Sequence, residues 1–168
     1  NKIDLKKLKA IIKGINKPDV ILIATKALPE IDLVSLLAPV VGKETCFLMI
    51  QNGLGIEKAL AKKFPDHLLL TSVAFSCLNR VAPAQVRYLG FNRLTLGSFP
   101  DGSVSDEVQV LQTAFESQGV PCRLSDHMHY QRWKKLLWNV PFNALSVLAG
   151  GSAGYTTADL LASKAYTQ

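Results

Sequence analysis

The chain has no run of eighteen or more apolar residues; Asn139, Asn143 and Ser146 interrupt its longest candidate, which excludes a transmembrane helix by the length rule. It has little cysteine. Cys46, Cys77 and Cys122 are odd in number, far apart and without CxxC spacing, so neither a zinc ribbon nor a disulfide framework is encoded, and a reducing compartment is expected. The first residues lack the uninterrupted apolar core of a signal peptide, which makes the cytoplasm the expected location. A GxGxxG turn is also missing, as are internal repeats and low-complexity tracts.

What is present is a 168-residue chain, 48% hydrophobic, long enough to bury a core. Its net charge of +6 favours anionic partners, among them phosphates and carboxylates as well as nucleic acid. Lys2, Lys6, Lys7, Lys9, Lys13 and Lys17, interleaved with Ile3, Leu5, Leu8, Ile11 and Ile12, concentrate that excess in one amphipathic stretch. A solvated helix face is its expected meaning, ahead of a membrane-surface or RNA-binding arm.

From Val20 the pattern becomes that of an α/β protein. Val20-Ile-Leu-Ile-Ala24 is a continuous apolar run, as in a parallel strand buried on both faces. Pro29 opens a helix over 31–37, closed by Pro39 and Gly42, and Thr45-Cys-Phe-Leu-Met-Ile50 reads as a second strand. After the turn Gln51-Asn-Gly-Leu-Gly55 come a helix over 56–64 and a third strand over 68–75. Residues 85–89 and 93–96, separated by Gly90-Phe-Asn92, read as an antiparallel hairpin appended to the sheet. Ser103 or Ser105 caps a helix ended by Gly119, and an edge strand over 120–124 follows. Beyond Asp126 the reading is helical, with Gly150-Gly-Ser-Ala-Gly154 as a break and a new helix near Thr157.

Trp133-Lys-Lys-Leu-Leu-Trp-Asn-Val-Pro-Phe-Asn143 is the segment with the most chemistry. Lys135, Asn139 and Asn143 stand at i, i+4 and i+8, within roughly 80° of one another on a helix. Trp133, Leu137, Val140 and their neighbours predict a helix buried all round, with a kink at Pro141. A polar stripe on such a helix either satisfies itself and nearby backbone or faces a ligand cavity, because an unsatisfied buried polar group costs roughly 1–3 kcal/mol. The Gln51–Gly55 turn lies where a strand's carboxyl end meets a helix, the edge at which open parallel sheets bind ligands; Lys26 ends the neighbouring strand at that edge.

Two other motifs carry less. Gly150-Gly-Ser152-Ala-Gly154 matches GxSxG but follows a helix and has no histidine downstream, so it is no hydrolase elbow. His127 and His129 beside Asp126 lack further ligands at metal spacing, and surface histidines without metal are expected.

The strand ending Ala24-Thr25-Lys26-Ala27, the loop Gln51-Asn-Gly-Leu-Gly55 and the Trp133–Asn143 helix together resemble the ketopantoate reductase (2-dehydropantoate 2-reductase) family, in order and spacing, over about residues 19–161. The resemblance implies a cytoplasmic NADPH-dependent oxidoreductase of a 2-oxo acid, 2-dehydropantoate in pantothenate and coenzyme A biosynthesis. It implies Lys135 as general acid, Asn139, Asn143 and Asn52 as substrate-binding residues, and Lys26, Asn52, Gly53 and Gly55 as cofactor-binding residues. The implied fold is α/β: a partial doubly wound, Rossmann-like parallel sheet over 1–125, then the first helices of an all-α substrate domain over 126–168. Its partner is a small 2-oxo acid, with no nucleic acid or membrane, and a homodimer is compatible with it.

Family members also carry the glycine-rich turn and its basic residue upstream, and a serine and a glutamate downstream. The expectation is therefore of a chain truncated at both ends, inactive as an isolated fragment. A coenzyme-binding or regulatory protein of the same fold that turns nothing over is the alternative.

Overall fold

The computed structural model describes residues 17–102 and 104–148, with backbone alone for Cys77, Asn79, Arg80 and 142–148. The basic stretch up to Asn16, Ser103, the Gly150–Gly154 motif and the helix expected near Thr157 lie outside these residues.

Among the described residues five strands form one sheet in the order β1 (Val20–Ile23), β2 (Cys46–Met49), β3 (Leu69–Ala82), β4 (Gln85–Ser98), β5 (Cys122–Leu124). The first three are parallel, β4 is antiparallel to β3, and β5 runs parallel to β4 at the edge. Among the described residues four helices accompany them: α1 (Leu33–Leu37), α2 (Lys58–Lys63), α3 (Asp106–Ser117) and α4 (Met128–Leu148).

Strand periodicity divides the core into two layers. Ile23, Phe47, Met49 and Leu69 point to one face and pack with Leu37 of α1 and Leu60 of α2. Leu48, Leu70, Leu94 and Leu96 point to the other and pack with Val108 of α3. Burying each side chain of this size stabilises the fold by roughly 1.5–3 kcal/mol. The inner strand β2 is buried on both faces, as its unbroken apolar run predicts, and helices on both sides make the sheet doubly wound.

Several boundaries differ from the sequence reading. Helix α1 starts at Leu33 because the Asp32 carboxylate accepts from the Ser35 amide at 3.2 Å and caps it. Helix α2 spans only Lys58–Lys63. Ser105 takes the N-cap position of α3, and Gly119, at φ +74°, follows its end as expected.

The hairpin expected to turn at Gly90-Phe-Asn92 turns instead at Pro83-Ala84, and β3 runs on to Ala82 to pair with the whole of β4. Gly90 marks an irregularity within β4: pairing steps from Phe75↔Arg93 to Cys77↔Gly90, three residues on one strand against two on the other. A glycine with φ +150° serves such a bulge as well as it serves a turn, and the letter does not distinguish them.

Helix α4 lies across β3 and β4. Its first turn seats on Gly97, where an added Cβ would collide with the Ser125 carbonyl and the Met128 side chain. Gly97→Ala is therefore expected to cost about 2–3 kcal/mol by overpacking, read as a lower urea midpoint at unchanged m value. The helix is not buried all round. Leu137 and Val140 are 74% and 61% exposed, and Trp133 is exposed too, because α4 meets the sheet along one side only, through Met128 and Arg132. Among the described residues no helix is long and apolar enough to cross a membrane.

Candidate functional site

The site forms at the carboxyl ends of β1 and β2, under the one packed side of α4. Gln51, the second residue after β2, donates its side-chain amide to the Thr25 carbonyl at 2.8 Å and to the Thr25 hydroxyl at 3.0 Å. The Lys26 segment and the Gln51–Gly55 loop are thus tied together. Gly53, at φ +127°, lets the loop turn where a side-chain-bearing residue would be strained.

Lys135 reaches down from α4 into this loop. Its ammonium donates to Asn52 Oδ1 at 2.7 Å and to the Ala74 carbonyl at 2.5 Å, and lies 5.6 Å from the centre of the Phe75 ring. Two of its three N–H donors are committed among the described residues, which leaves one for a ligand. Burial, and secondarily the Arg132 charge, push its pKa down from 10.5 to about 8. A proton donor poised near neutrality results.

Lys135, Asn139, Asn52 and Gly53 line one small cavity of about 20 Å³, room for about one water molecule. Lys26 is not in it; it borders a neighbouring cleft of about 340 Å³ walled by the 27–34 segment and α2. Gln51 lines both, and its side-chain oxygen is buried without a hydrogen-bond partner among the described residues. Gly55 borders neither; its carbonyl accepts from the Lys58 amide at the start of α2. Asn143 lies two turns beyond Lys135 on the α4 backbone, and its side chain is outside the described set.

Three buried polar residues beside the site, Arg132, Glu57 and Thr71, escaped the sequence reading. Arg132, 7% exposed, donates from Nε to Thr71 Oγ1 at 2.7 Å, and from one terminal nitrogen to the Gln51 carbonyl at 3.1 Å and the Gly53 carbonyl at 2.7 Å. Its other terminal nitrogen meets Thr71 Oγ1 and lies 2.9 Å from Glu57 Oε1. Glu57, 2% exposed, also accepts from the Thr71 hydroxyl at 3.0 Å. The available signal was position: Arg132 stands at i−3 from Lys135, on the same side of the helix.

His127 and His129 are exposed. His127 pairs with exposed Asp126 at 3.7 Å, and His129 Nε2 accepts from the Trp133 indole at 3.0 Å. No group of metal-ligating side chains occurs among the described residues.

The chain matches the family model described as "Ketopantoate reductase PanE/ApbA" over residues 5–101. A 2-dehydropantoate 2-reductase of Nostoc sp. is 32% identical over 147 residues, covering 85% of this chain and 46% of that protein. Crystal structures of 2-dehydropantoate 2-reductases from Methylococcus capsulatus and Geobacter metallireducens superpose with TM-scores of 0.74 and 0.73 at 36% and 37% identity, covering 83% and 82% of this chain and 45% of each of theirs. The chain thus spans about half the length of the curated relatives it matches. With the family model covering more than half of its residues, and the lysine, asparagine and glycine-loop motifs meeting at one sheet edge, the chain belongs to the ketopantoate reductase family.

Proposed function

We propose that the protein reduces a 2-oxo acid, 2-dehydropantoate to pantoate, with NADPH, and that Lys135 is its general acid. The observation that carries this reading is the Lys135 ammonium, held by Asn52 and the Ala74 carbonyl beside Asn139, with one donor left over. A nicotinamide coenzyme supplies the hydride to the ketone carbon. Lys135 gives the ketone oxygen its proton, and its charge stabilises the alkoxide as it develops. Asn139 and Asn143 orient the hydroxyl and carboxylate side of the substrate, and Asn52 touches both substrate and coenzyme.

The residues at the sheet edge fit part of a dinucleotide. Lys26 offers a cation to a coenzyme phosphate or carboxamide, the 340 Å³ cleft lies within the range of small-ligand sites, and the buried Gln51 oxygen accepts from a polar group entering it. Gly53 and Gly55 let the loop backbone approach the coenzyme closely. On this reading residues 1–125 belong to the coenzyme-binding domain, and α4 opens the substrate domain.

The test uses the protein at its full genomic length, assayed with 2-dehydropantoate and a panel of other 2-oxo acids against NADPH and NADH. NADPH oxidation with pantoate as product is expected. The general acid must be protonated, and Lys135 is protonated below about pH 8, so kcat/KM is expected to fall about tenfold per unit as pH rises above it. Tight NADPH binding with no oxidation across the panel would replace the reductase by the non-catalytic coenzyme-binding reading.

A further inference from the structure

We propose that Arg132 is the positioning residue of this site: one guanidinium, clamped by Glu57, fixes the backbone on both sides of Asn52 and thereby holds the amide that grips Lys135. This rests on the reading of Lys135 as proton donor. The geometry is specific. A single terminal nitrogen of Arg132 donates to the carbonyls of Gln51 and Gly53, the two residues that flank Asn52. With both neighbours pinned, the Asn52 side chain leaves the loop in one direction, toward Lys135 one helical turn along from Arg132.

Glu57 and Thr71 complete the clamp from below. The carboxylate sets the guanidinium plane and offsets its charge, while the Thr71 hydroxyl sits between them, accepting from arginine and donating to glutamate. A lysine at position 132 could not do this, since a point charge lacks the planar fork that serves Thr71, Glu57 and two carbonyls together. The clamp also sets the field at Lys135. Facing that ammonium are Asn52 from the loop, the Ala74 carbonyl and Phe75 from β3, and Arg132 on its own helix, with Arg93 of β4 on the same Phe75 ring at 5.0 Å and Glu57 beyond Arg132. Burial, and after it the Arg132 charge, loosens the ammonium's hold on its proton.

The test compares Arg132→Lys with the double variant Arg132→Met/Glu57→Gln, which removes the pair without stranding a buried charge, in the protein at its full genomic length. Two readouts are taken: the Lys135 titration, by NMR of ¹³Cε-labelled lysine assigned with Lys135→Arg, and the ¹⁵N order parameters of Asn52 and Gly53. Arg132→Lys is expected to leave the titration midpoint near 8 while lowering both order parameters from about 0.85 to below about 0.6. The double variant is expected to lower them likewise and to move the midpoint up only part of the way, because burial, the larger cause of its depression, remains. Where the wild type reduces a 2-oxo acid, kcat/KM falls about 100-fold in either variant, by misplacement of Asn52. Folded variants with unchanged loop order would overturn the proposal and leave the network a purely structural pair. If the wild type reduces nothing, the titration and loop order still decide it, so the two failures are told apart. Should the double variant not fold, loop order in Arg132→Lys decides alone.

Discussion

In the reductase proposed above, replacing Lys135 with methionine is expected to slow turnover of the oxo acid by about 10²–10⁴-fold, the usual contribution of a general acid. The side chain is nearly isosteric and keeps the contact with Phe75, but it removes the proton and the charge that the proposed mechanism brings to the developing alkoxide. Coenzyme affinity is expected to change by only a few fold, because Lys26 and the larger cleft stand apart from Lys135. Steady-state kinetics with pantoate quantified as product, alongside coenzyme titration by fluorescence, separate the two effects. Turnover within a few fold of wild type would remove Lys135 from the chemistry. The substitution also relieves a cost of folding. Lys135 has a depressed folded-state pKa, so between about pH 8 and 10.5 the unfolded chain binds more protons than the folded one, and wild-type stability rises with pH across that window. In Lys135→Met this rise is expected to be absent.

The second large effect is on folding. Glu57→Ala is expected to destabilise the protein by about 3–5 kcal/mol, since it leaves the Arg132 guanidinium buried beside Thr71 without a counter-charge. Urea unfolding followed by the fluorescence of Trp133 and Trp138 on α4 reads this directly. Adding Arg132→Met is expected to restore most of the loss, because an apolar side chain no longer needs the carboxylate. A loss below about 1 kcal/mol for Glu57→Ala alone would show that water or a rearranged loop solvates the arginine.

How much of this was legible in the sequence depends on whether the determining groups have letters. The parallel strands were readable because β2 needs apolar residues on both faces, and Phe47, Leu48 and Met49 supply them in succession. Gly119 was readable as a helix end because few residues accept φ +74°. The hairpin turn was misplaced because Pro83-Ala84 carries a weaker turn signal than Gly90, whose freedom serves a bulge. The stripe of Lys135 and Asn139 showed as a periodicity and meets Asn52 in space. The Ala74 carbonyl that holds Lys135 could not be read, since every residue has one. Arg132 was hidden by habit rather than chemistry. A charged residue among lysines is counted as surface, and its burial becomes apparent only when Glu57, distant in the chain, is brought against it. The apolar residues of α4 misled in the opposite sense: Leu137 and Val140 suggested burial where the described residues leave them open.

The Gln51 amide has a mechanical consequence. Adjacent strands are set about 4.8 Å apart by their ladder, and beyond the last rung their loops are ordinarily free to drift independently. Gln51 adds one more rung after the ladder ends, made by a side chain instead of a backbone. The cleft beside Lys26 and the recess beneath Lys135 are therefore halves of one shelf, and a disturbance that shortens or lengthens that rung alters the registry between them.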